Sequence, residues 1–145
     1  MANIYSLAKD FKKRFPLTVA FRVRKHSNII DMHLNPDEKV LYVFCGQKNV
    51  SSLMLINSCV VALTDKRIMI GQKRVLWAYF FTTITPDLYN DLKVRKNLIW
   101  SDVEIDTVKE TVYISNLDPK AAVEVETVIT GFMMEAKKKY EKNSH

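Results

Sequence analysis

Two histidines, three alternating carboxylates and two cysteines are the side chains that chemistry would use first. His26 and His33 stand seven residues apart with Asp31 between them, so one continuous helix would present both rings on a single face, as a metal site needs. Ser27 is a helix-capping residue type that would break such a helix, and no other close-set ligand accompanies the pair, so the plainer reading is two surface histidines. Asp102, Glu104 and Asp106 alternate and would share one face of a strand, which is most simply a solvated sheet face. Cys45 and Cys59 fall roughly opposite each other if a hairpin is centred near Ser52. That placement would suit a redox switch, but two small buried apolar side chains are the simpler reading, with no helix N-terminus to stabilise a thiolate. Gly-x-Ser-x-Gly, a phosphate-binding glycine loop and His-Glu-x-x-His are all absent from the sequence. No catalytic residue, metal or cofactor is therefore expected.

Side chains suited to binding are easier to find. Lys48, Lys73, Arg74 and Lys109 lie in stretches with turn character. Leu53-Met54-Leu55-Ile56 is an apolar cluster after a polar excursion; it would enter a membrane or a partner, or else begin a core strand. Trp77, Tyr79, Phe80 and Phe81 have no Lys or Arg interleaved, so base stacking with backbone neutralisation is not expected, and nucleic acid is not a predicted partner.

The net charge of +6 is unevenly placed. Residues 1–27 carry seven basic side chains, Lys12, Lys13 and Arg14 among them, against the single acid Asp10; the remainder balances fifteen basic with fifteen acidic. A basic segment of this kind would meet a membrane surface, a nucleic acid or an acidic protein face, or simply keep the chain soluble.

The elements that must position these groups read as one domain of 145 residues with an appended arm. The longest apolar run, Val75 to Phe81, is too short to cross a bilayer, which takes about 20 residues. The Met-Ala-Asn-Ile-Tyr start has no signal-peptide pattern, and two cysteines suit a reducing, cytoplasmic setting. Ile4, Leu7, Ala8 and Phe11 have helical spacing, and Pro16 ends that helix. Leu17, Val19, Phe21 and Val23 alternate as in a strand, and Ser27 would cap a brief helix through Leu34. After Asn35-Pro36-Asp37 come seven strand-like runs: 38–45, 55–64, 67–70, 75–84, 89–95, 98–106 and 111–114. Short links imply antiparallel pairing. Asp118 and Pro119 then open a helix whose stripe is Ala122, Val125, Ile129, Phe132, Ala136 and Tyr140.

Val60-Val61-Ala62-Leu63-Thr64-Asp65-Lys66-Arg67-Ile68-Met69-Ile70 resembles the strand, Thr-Asx-Lys-Arg turn and strand signature of the bacterial pleckstrin-homology-like (PH-like) domain family. Leu98-Ile99-Trp100 through Glu104-Ile105-Asp106-Thr107 is similar to its sixth strand, and Asn116-Leu117-Asp118-Pro119 to the lead-in of its terminal helix. The resemblance spans residues 37–141 and implies an α+β fold: seven antiparallel strands in two near-orthogonal sheets forming a PH-like barrel, capped by the C-terminal helix. It implies no catalytic residues. It also implies that the loops bearing Lys48, Lys73, Arg74 and Lys109 gather at one open end, the end used for lipid headgroups by eukaryotic relatives. Those relatives place several basic residues on the first two strands, where this chain has only Lys39 and Lys48, so specific phosphoinositide binding is not implied.

The expected organisation is a basic arm over residues 1–35, with a helix and an extra strand, and a PH-like domain over residues 36–145. The expected function is a non-catalytic binding or scaffolding module, acting through protein interaction or self-assembly. A peripheral membrane module held by the arm is the alternative. The candidate binding residues are Lys48, Lys73, Arg74, Lys109, Leu53, Met54, Leu55, Lys12, Lys13 and Arg14.

Overall fold

Asn3 starts the first helix: its side-chain Oδ1 accepts the Ser6 N–H at 3.2 Å, satisfying one of the free donors of the first turn. The computed structural model describes residues 3–49, 57–74 and 78–143, so the apolar cluster Leu53, Met54 and Leu55 lies outside the described residues. Helix α1 (Ile4–Arg14) buries Ile4, Ala8 and Phe11, as their spacing predicts, and carries Lys12, Lys13 and Arg14 in its last turn, where the helix dipole favours cations.

The next segment departs from expectation. Residues 18–22 form an irregular connection, not the expected extra strand, and helix α2 (Val23–His33) begins four residues before Ser27. The alternation is real but inverted. Thr18 and Ala20 are buried, whereas Leu17 is 51% and Phe21 55% exposed. The reason is in the hydrogen bonds. The Val19 N–H donates to Asn116 O at 2.9 Å, the Asp118 N–H donates to Thr18 Oγ1 at 3.0 Å, and the Phe21 N–H donates to Ser58 Oγ at 2.8 Å. The connection is tethered by backbone and hydroxyl groups, so its large apolar side chains point outward. Arg22 turns the chain into α2 with φ 54°, the left-handed region that L-residues seldom occupy. Ser27 does not cap; its hydroxyl donates to Val23 O at 2.7 Å inside the helix.

Seven strands follow: β1 (Val40–Gln47), β2 (Ser58–Thr64), β3 (Ile68–Lys73), β4 (Tyr79–Ile84), β5 (Tyr89–Lys96), β6 (Ser101–Thr107) and β7 (Thr111–Leu117). All neighbouring pairs are antiparallel, in the order β4-β3-β2-β1-β7-β6-β5. This is one open sheet, not the two separate sheets expected. Its halves join at the single register pair Gln47–Ser115. Gly46 permits that crossing, because a Cβ there would sit 2.8 Å from Ser115 O and 2.9 Å from Ile114 Cγ2. Beside it, Ser101 pairs with Leu117 while Val103 pairs with Ile114, so β7 carries one extra residue; Asn116 takes φ 60° there. That bulge presents the carbonyl which holds Val19.

The Thr64-Asp65-Lys66-Arg67 turn is structural. Thr64 Oγ1 accepts the N–H groups of Lys66 and Arg67, each at 3.1 Å. Arg67 grips buried Glu38 through Nε at 3.0 Å and Nη2 at 3.1 Å, and Nη2 also donates to His33 O at 3.0 Å. The β2–β3 turn, the start of β1 and the end of α2 are thereby locked together.

Helix α3 (Pro119–Asn143) follows its Asp118 cap, whose Oδ1 accepts the Lys120 N–H at 3.0 Å. It packs on β5 and β6, burying Ala121, Ala122, Val125, Ile129 and Met133. Phe132, expected in the buried stripe, is only half-buried; Met133 takes the core position. Helices α1 and α2 cover the other half, α1 against β1 and α2 against β2, β3 and β4. Ile4, Phe11 and Ile30 belong to the same hydrophobic core as Phe44, Ile105 and Ile129.

Candidate functional site

The groups that suggested chemistry are occupied separately. His26 is buried, and its Nδ1 accepts the Lys73 N–H at 2.7 Å. Burial, aided by the charge of Arg22, lowers its pKa to about 4, so the ring is a neutral acceptor. His33 donates from Nδ1 to Ile29 O at 2.8 Å and stacks on Phe81, with ring centroids 3.9 Å apart. Among the described residues no group of three His, Cys, Asp or Glu side chains is placed to hold a metal ion. Asp102 is buried, Glu104 pairs with Arg95, and Asp106 accepts the Thr111 hydroxyl at 3.2 Å.

The cysteines miss each other by one register step. Cys45 pairs with Val60, and Gly46 with Cys59, so the two thiols point to opposite faces of the sheet. Each thiol pKa is pushed up to about 12, chiefly by burial. A disulfide switch between them is not compatible with this register.

The predicted cations fall into separate places. Lys48 and Arg74 converge on Phe80: the Lys48 Nζ lies 6.0 Å, and the Arg74 guanidinium 5.3 Å, from its ring centroid. Asn57 ties them, since its backbone oxygen accepts the Lys48 N–H at 2.7 Å and its side-chain oxygen accepts from Arg74 at 3.2 Å. Lys73 pairs with Tyr79 and so lies on the opposite face from Phe80. Lys109 does not join the contacts among Lys48, Arg74 and Phe80. It lies in the β6–β7 turn, where the Val108 N–H donates to Leu88 O in the β4–β5 connection. Lys12 donates to Ala20 O at 2.6 Å, Arg14 pairs with Glu124 at 2.8 Å, and Lys13 is exposed.

Phe80 is the residue that reading along the chain missed. No cation is adjacent to it in sequence; its cations arrive from the β1–β2 and β3–β4 connections. It belongs to a second feature, the open edge of β4. The sheet ends at β4 and β5. Strand β5 is guarded by Asp91, Lys93, Arg95 and Lys96, whereas β4 (Tyr-Phe-Phe-Thr-Thr-Ile) has no charge, with Tyr79 41% and Phe80 53% exposed. An open groove beside α2, lined by Asp31, Leu34 and residues 35–40, is less suited to a ligand, because Glu38 there is already held by Arg67.

Seven antiparallel strands followed by one helix define a PH-like fold. The model of the bacterial PH domain family matches residues 34–130, which takes in every strand and the first half of α3, and the chain belongs to that family. Its members are generally binding or scaffolding modules. Helices α1 and α2 both precede the match. No curated protein and no solved structure matches the chain. Among the described residues no helix is long and apolar enough to cross a membrane.

Proposed function

We propose that this chain is a non-catalytic, cytoplasmic interaction module that takes an extended strand along the open edge of β4, the favoured occupant being β4 of a second copy. The observation that carries this reading is the contrast between a charged β5 edge and an uncharged, aromatic β4 edge. Charge supports a second copy as the occupant. Two-fold antiparallel pairing of β4 would bring Lys73 and Arg74 of one copy toward the end where the other carries Asp87. Attachment to a membrane through α1 alone has less support, since Lys12 and Arg14 have partners within the chain.

Sedimentation equilibrium of the full chain and of Phe80→Lys tests this. The native chain dimerises and the variant, charged at an exposed edge position, stays monomeric while keeping the native circular-dichroism spectrum. A native chain that is monomeric at all concentrations, or a variant that dimerises equally well, would overturn the proposal.

A further inference from the structure

The outward row of the α1–α2 connection ends beside the most exposed apolar side chain in the described structure. Leu98, 99% exposed, and Ile99, 53% exposed, form the tip of the β5–β6 hairpin, closed by the Asn97 N–H donating to Trp100 O at 2.8 Å. The Trp100 indole N–H donates to Leu17 O at 2.8 Å, which fixes the tip against Leu17. Leu17, Val19 and Phe21 continue the apolar surface away from the tip, because Thr18 and Ala20 are the residues turned inward.

The charges around this surface are one-sided. Lys96 flanks the tip, Lys120 follows the Asp118 that accepts the Leu17 N–H, and Lys13, Arg22 and Lys25 flank the row; all five are exposed. Most of the nearby acids are withdrawn: Asp102 and Asp118 are buried and Glu124 is held by Arg14, so exposed Asp10, one turn before Lys13 on α1, stands against the five exposed cations. A projecting apolar tip with a cationic surround is convex, so it suits insertion into a soft surface better than a fit to a rigid one.

We infer that the β5–β6 tip, with the Leu17–Phe21 row, is a contact surface for an anionic lipid bilayer: Leu98 and Ile99 enter the headgroup region while the surrounding lysines and arginines meet lipid phosphates and carboxylates. This surface shares no residue with the β4 edge, so its test is independent of the dimer.

Co-sedimentation of the full chain with phosphatidylserine-containing vesicles and with pure phosphatidylcholine vesicles is the experiment. The native chain binds the anionic vesicles, less at high salt, and only weakly the neutral ones. The double variant Leu98→Ser, Ile99→Ser loses affinity by roughly tenfold or more, since two large side chains no longer leave water. Lys96→Glu with Lys120→Glu also weakens binding, while Leu41→Ser, an exposed apolar residue elsewhere, leaves it unchanged. In a Trp77→Phe background, Trp100 fluorescence shifts to the blue on anionic vesicles. The inference is overturned if the anionic vesicles do not bind, if binding survives the double variant, or if the double variant instead abolishes self-association and so assigns the tip to a protein contact.

Discussion

Truncating Phe11 to alanine asks whether the N-terminal helices are an appendage or part of the core. The ring is fully buried and lies 5.0 Å from Phe15, 6.2 Å from Phe44 and 6.4 Å from Tyr42 by centroid distance. Removing such a ring forfeits its transfer free energy and leaves a cavity that aromatic neighbours fill poorly, a cost of about 3–5 kcal/mol. For 145 residues the unfolding entropy is about 0.3 kcal/mol/K, so the melting temperature falls by roughly 10–16 °C. Urea unfolding followed by circular dichroism and by tryptophan fluorescence should show one coincident, earlier transition. A loss below about 1 kcal/mol would refute the packing of α1 on β1.

Three further outcomes follow from the buried polar groups. Glu38→Gln should destabilise by about 2–3 kcal/mol, because Arg67 loses its anion while keeping partial access to water; urea midpoints at neutral pH measure it. Burial opposes ionisation of Glu38, but hydrogen bonds from Arg67, Thr64 and the Asn35 N–H outweigh it and lower the pKa, so this contribution is present at neutral pH and is lost as pH falls through the folded value. His26 stays neutral when folded down to about pH 4, whereas an unfolded histidine takes a proton near its ordinary value of 6.5. The unfolded chain therefore binds more protons between those values, and stability should fall by about 2–3 kcal/mol as pH drops from about 6.5 to 4. His26→Gln should flatten that slope; an unchanged slope would contradict the neutral, buried ring. Native Cys45 and Cys59 should react negligibly with an alkylating reagent at pH 8 and both fully in denaturant; rapid native labelling would contradict their burial.

Where local pattern and tertiary demand coincide, the elements were legible. The apolar and β-branched runs paired around the Thr64–Arg67 turn do form β2 and β3, and Asp118-Pro119 does start α3. The Leu17–Val23 alternation is a harder case. It forms no strand, and the side that faces inward was decided by the Asn116 bulge and the Thr18 hydroxyl, which no periodicity records. Likewise the β5–β6 turn spans Asn97 to Trp100 and not Lys96-Asn97, because the Trp100 indole is held by Leu17 O from a distant part of the chain. The cysteine faces turned on a single register step. Lys48 and Arg74 were legible as loop cations, but their meeting on Phe80 depends on cross-strand geometry.

Hydrogen–deuterium exchange across residues 79–84, followed at low and at high concentration of the native chain, tests the proposed β4 edge most directly. Dimerisation through that edge predicts slower exchange of β4 amides as concentration rises, with β5 amides unchanged. Concentration-independent exchange in β4, or protection that appears in β5 instead, would contradict it.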